Sequence, residues 1–129
     1  MAALLALFLA RVLGQVLAAT VAPRWLPPMA RWYSGLMPYR YLLPTQIVFV
    51  VLMAAAIVEV ATEMPPLGTP WRDSGVAMVW ASYVYVLGMT VRAIRYAVAP
   101  SERRGVLIPI VFHFGLAAFL FLWGSALVR

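Results

Sequence analysis

Few side chains in this sequence could do chemistry, and nearly all of them lie inside long apolar stretches. Arg11 and Gln15 stand one helical turn apart in the first stretch. Glu59 is the acid most clearly inside an apolar stretch, near the outer end of the second. A mid-membrane arginine costs about 2.5–3.5 kcal/mol on insertion scales, so Arg11 calls for a partner. Side chains lean toward the N-terminus of their own helix, so on antiparallel neighbours Arg11 and Glu59 lean toward each other. An intramembrane Arg11–Glu59 pair is therefore expected, either as a brace or as part of a substrate or ion path. His113 is the only histidine and follows Ile108-Pro109-Ile110-Val111-Phe112. It is expected to face the protein interior as a neutral ring, where a haem ligand, a quinone hydrogen bond, a proton relay or a packing hydrogen bond are the available uses. Bis-histidine haem ligation would need a second histidine from another subunit. Tyr83 and Thr90 are seven residues apart, share a helix face, and with Gln15 form the expected polar interior.

The elements that must position these residues follow from composition. Of 129 residues, 65% are hydrophobic and 11% are charged. Soluble domains average about 45–50% apolar and about 25% charged, and a chain this short has too little interior to hide the excess. Four apolar spans run from 2 to 22, 42 to 62, 75 to 98 and 106 to 128. Each is long enough to cross a ~30 Å hydrocarbon core as a helix, and bare backbone in lipid must be helical to satisfy its own polar groups. The predicted fold is an all-α membrane protein, one domain of four transmembrane helices. Pro23, Pro27 and Pro28 close the first span, Pro65, Pro66 and Pro70 the second, and Pro100 the third. Asp73-Ser74 is placed to cap the third helix. Pro44 and Pro109 fall at the starts of the second and fourth, where a missing N–H costs little. The first span reads as a retained helix rather than a signal peptide, since it lacks a basic leader and Arg11 interrupts it.

All ten basic residues are arginine, net charge is +6 and there is no cysteine. Disulfides, thiolate metal sites and thiol redox chemistry are excluded. Apart from Arg11, the arginines sit between the spans or near their ends, which argues for topology rather than nucleic-acid binding. Arg24, Arg31, Arg40, Arg92, Arg95, Arg103 and Arg104 border the first and third connections, against Arg72 and Arg129 on the other side. By the positive-inside rule that basic edge is cytoplasmic and contacts lipid headgroups, and both termini are external. The first connection alternates arginines with Trp25, Trp32, Tyr33, Tyr39 and Tyr41. A short interfacial helix is expected around Met29 to Leu36. Ala2, Ala6, Ala10, Gly14, Ala18 and Ala22 recur every four residues and mark a ridge for close helix packing.

No phosphate-binding glycine loop, nucleophile elbow, zinc-protease helix or paired acidic motif is present. Two stretches, Pro38-Tyr39-Arg40-Tyr41-Leu42-Leu43-Pro44-Thr45-Gln46 and the region from Arg92 to His113, resemble small uncharacterised multi-pass proteins of bacterial inner membranes. The resemblance implies location and no activity. The leading expectation is a non-enzymatic structural or accessory subunit of a membrane assembly, working with the bilayer and with a second copy or a partner subunit. A haem- or quinone-associated redox component using His113 is the second reading, and a small transporter using Arg11 and Glu59 the third. The sequence fixes no cofactor.

Overall fold

The computed structural model describes residues 1–32, 38–62, 71–98 and 107–128. These form helices α1 (Ala2–Thr20), α2 (Met29–Trp32), α3 (Tyr39–Thr62), α4 (Trp71–Val98) and α5 (Leu107–Val128). By length and composition, α1, α3, α4 and α5 can each cross a membrane, the make-up of a multi-pass membrane protein. No strand occurs among the described residues. Arg103 and Arg104, with most of the second and third connections, lie outside them, as does the second half of the expected interfacial helix; its first half is α2.

Helices α1 and α3 each bury one narrow stripe. In α1 the buried residues are Phe8, Arg11, Val12, Gln15 and Ala18, spaced at three and four, the signature of one face turned inward. In α3 they are Gln46, Met53, Ala56 and Glu59. Among the described residues helix α5 is central and packs against every other helix, whereas α4 packs closely against α5 alone. Phe8, Val12, Met53, Ala56 and Phe119 form the apolar core among α1, α3 and α5.

The α4–α5 pair approaches to backbone contact at one end. A Cβ built on Gly124 would lie 2.6 Å from the Gly75 carbonyl oxygen, and one built on Gly75 would lie 2.8 Å from that of Gly124. Only glycine at both positions permits this approach, the general way membrane helices gain dispersion energy where lipid removes the hydrophobic drive. Gly14 plays a comparable part against α2, since a Cβ there would sit 2.7 Å from Cη2 of Trp32. Ala18 is also buried, but Ala2, Ala6 and Ala10 face outward. The expected small-residue ridge thus packs only in part within the chain: the buried stripe of α1 runs through its larger residues.

Three local expectations are corrected. Helix α3 begins one turn before the expected span, so Pro44 is inside the helix rather than at its start. Helix α4 also begins a turn early, which puts Asp73 in the first turn, where its charge favours the helix dipole, rather than at the cap before it. The first helix ends two residues short of expectation. Ala22 carries φ of 45°, and both Val21 and Ala22 donate their N–H to the Leu17 carbonyl. This is a left-handed C-terminal cap made without glycine. Pro109, by contrast, does fall in the first turn of α5.

Candidate functional site

Arg11 is the residue the fold treats most unusually. It is only 6% exposed and its Nε has no hydrogen-bond partner. Its guanidinium carbon lies 5.9 Å from the ring centre of Phe8 and 5.2 Å from that of Phe112. Cation–π contacts of this kind return about 0.5–2 kcal/mol each, part of the cost of the buried charge. The expected pairing with Glu59 does not occur. Glu59 is buried and its Oε2 accepts from Trp123 Nε1 at 3.0 Å. The reason is register. Gln46 is the α3 residue that shares a cavity with Arg11. Glu59 lies 13 residues farther along α3, about 20 Å away at 1.5 Å per residue. The other acid among the described residues, Asp73, is exposed at the far end of α4, 12 residues or about 18 Å from Tyr85 at the same cavity.

The cavity itself has a volume of about 110 Å³ and lies where the α4–α5 pair meets α1 and α3. Its polar lining is Arg11 from α1, Thr45 and Gln46 from α3, Tyr85 from α4 and His113 from α5. Phe8, Phe49 and Phe112, with Leu42 and Leu116, supply the apolar wall. Gln46 is 3% exposed, and neither its Nε2 nor its Oε1 has a partner. Thr45 is already engaged, donating to the Tyr41 carbonyl at 2.8 Å. His113 Nδ1 bonds the Pro109 carbonyl one turn back. A carbonyl only accepts, so Nδ1 carries the hydrogen, and a neutral ring in this pose would keep its lone pair on Nε2. The His113 ring also lies 5.9 Å from that of Tyr85. Arg92, two turns beyond Tyr85 on α4, is within electrostatic reach of both Tyr85 and His113. No group of three or more acidic, histidine or cysteine side chains able to hold a metal occurs among the described residues.

The remaining sequence candidates distribute as follows. Gln15 is fully buried, and its Nε2 donates to the Trp32 carbonyl at 2.9 Å, tying α1 to α2. Trp32 Nε1 in turn donates to the Pro27 carbonyl at 2.9 Å. Tyr83, expected inside, is 53% exposed: it lies at the edge of the α4–α5 contact, edge-on to Trp80 and 6.0 Å from the Phe121 ring of α5. Thr90 is half-buried and donates to the Val86 carbonyl of its own helix at 2.8 Å. The inward face of α4 is instead the one bearing Ser82 and Tyr85. Arg24, Arg31, Arg40 and Arg95 are exposed and Arg92 half-buried; Arg40 also stacks 4.7 Å from the centre of the Tyr41 ring.

Gln46 and Trp123 were not singled out by sequence, and Tyr85 stood only as one of several polar residues of the third span. Gln46 carried a usable signal, being an amide four residues inside an apolar span. Tyr85 carried another, its seven-residue spacing from Arg92. Nothing marked Trp123 as the partner of Glu59, because a tryptophan near a helix end reads equally as membrane-interface belt. Comparison with protein families, with curated proteins and with solved structures finds no match.

Proposed function

We propose that this chain is a non-enzymatic subunit of the bacterial inner membrane that holds a small ligand in the cavity between α1, α3, α4 and α5. The basic edge faces the cytoplasm and both termini face outward, as the arginine distribution favours. One observation carries the reading: Arg11 and Gln46 are each more than nine-tenths buried, line the same cavity and leave polar atoms unbonded there. Buried polar atoms are nearly always bonded in folded proteins; Gln15 Oε1 and Tyr39 Oη are unbonded too but line no part of this cavity, whereas Arg11 and Gln46 face one common space, which makes it a place for an occupant. A cavity of about 110 Å³ is smaller than the engineered apolar cavity of about 150 Å³ that takes benzene. The occupant, or the part of it that enters, has only a few heavy atoms, which argues against a haem. Among the described residues helix α4 packs against α5 alone and presents Trp80, Val84 and Leu87 outward, which favours work beside a second copy or a partner subunit.

Mass spectrometry of protein released from native membranes tests the reading. A small molecule or lipid should accompany the wild type and be lost from the Arg11→Leu, Gln46→Leu double variant. Identical spectra for a folded double variant would remove the cavity from the function. A reporter fused after Arg129 should register an external C-terminus; a cytoplasmic signal would reverse the orientation.

A further inference from the structure

The cavity's chemistry narrows what it takes. We propose that it binds a small oxyanion bearing a hydroxyl group, with Arg11 and Gln46 holding the anionic oxygens and Nε2 of His113 accepting from the hydroxyl. The inference rests on the cavity being a ligand site, and it adds the ligand's class.

Charge comes first. Water could enter a space of about 110 Å³, since about 10–15 Å³ of such volume suffices for one molecule. Water satisfies hydrogen bonds but brings no counter-charge. Arg11 is buried, Glu59 is taken by Trp123, and the neighbouring Arg92 adds positive potential. A neutral occupant such as a quinone would leave the charge where it stands. An anion removes the deficit, and guanidinium and carboxylate or phosphate oxygens match in geometry as well as sign. Gln46 supplies a second donor through Nε2, whose hydrogens have no partner.

His113 then adds a complementary demand. Its Nδ1 hydrogen is committed to the Pro109 carbonyl, so the far edge of the neutral ring offers an acceptor. A bare carboxylate has only acceptors and cannot use it. A hydroxy acid, or a phosphate that retains one proton, presents an anionic oxygen and an O–H together. The donors Arg11 and Gln46 and the acceptor on His113 come from three helices, α1, α3 and α5, so the discrimination requires the assembled bundle.

The ligand can arrive from water or as the headgroup of a lipid, and the test separates these. The full chain is placed in phosphatidylcholine nanodiscs, and its thermal midpoint is followed against added lactate, propionate, inorganic phosphate and a short-chain benzoquinone, and separately with phosphatidic acid in the bilayer. Saturable stabilisation by lactate or phosphate marks a water-borne ligand; stabilisation by phosphatidic acid alone marks a lipid headgroup. Lactate should bind about fivefold more tightly than propionate, the worth of one hydrogen bond. His113→Phe should bring that ratio to about one while keeping the anion response. Arg11→Leu should abolish the response to every anion, and Gln46→Leu should weaken it about tenfold. Gln46→Leu also serves if Arg11→Leu fails to fold. Equal binding of lactate and propionate to the wild type would overturn the hydroxyl requirement. Stabilisation by the quinone and by no anion would overturn the inference yet leave the ligand site standing. Silence in every arm would remove both.

Discussion

Where Gly75 meets Gly124, the backbones of α4 and α5 touch. Ten or eleven residues along the same two helices, about 15 Å away, Tyr85 and His113 stand instead at the edge of a cavity. The two regions share a helix pair and an apolar composition but follow opposite rules. At the glycine contact no side-chain atom can be added on either glycine. At the cavity there is room, and Arg11 Nε and both polar atoms of Gln46 are left unbonded there. The Glu59–Trp123 bond lies at the glycine end, beside Gly124 in sequence, and shows what a buried polar group here looks like when it serves structure: it is paired, at 3.0 Å, across two helices. The contrast separates side chains that hold the bundle together from side chains that the bundle holds in place.

The largest expected loss comes from filling the glycine contact. Gly124→Leu should force α4 and α5 apart and lower stability by about 3 kcal/mol or more, read as a fall in thermal midpoint in nanodiscs. A mild effect would mean that the helices can part there without consequence. Next is Trp123→Phe, which leaves the Glu59 carboxyl buried without its donor and should cost about 1–3 kcal/mol. A double-mutant cycle over Glu59 and Trp123 should show coupling of that order, while the cycle over Glu59 and Arg11 should be additive to within about 0.5 kcal/mol. Coupling in the second cycle would restore the charge pair that the register of α3 forbids. Gly14→Ala should then cost about 1–2 kcal/mol by displacing the Trp32 indole, with a shift in tryptophan emission as its marker. Gln46→Leu should be nearly neutral for stability, within about 1 kcal/mol, because it removes an amide that bonds nothing. A large loss there would make Gln46 a structural residue.

The four long helices were legible because their cause is local: span length and the prolines between them decide where a membrane helix can run. Helix starts were less legible, and α3 and α4 each gain a turn that apolar content alone does not ask for. The missed Arg11–Glu59 pair has another cause, the register of α3 against α1, which sets Gln46 rather than Glu59 at the level of Arg11. The identity of Arg11 and His113 as candidates was readable from their rarity in lipid. Their meeting at one cavity, with Gln46 and Tyr85, was not, because it depends on the relative rotation and height of helices from four parts of the chain. The same holds for Tyr83. Its seven-residue spacing from Thr90 puts both on one face, but spacing does not say how much of that face α5 covers: Tyr83 reaches Phe121 and stays 53% exposed.

Arg11→Leu bears most directly on the division between structure and site. Removing the guanidinium forfeits two cation–π contacts of about 0.5–2 kcal/mol each and relieves an insertion cost of about 2.5–3.5 kcal/mol. The two nearly cancel. In ligand-free nanodiscs the thermal midpoint of Arg11→Leu should therefore equal or exceed that of the wild type. A fall corresponding to about 3–5 kcal/mol, the signature of breaking a buried ion pair, would show that Arg11 is a brace of the fold and would contradict the account.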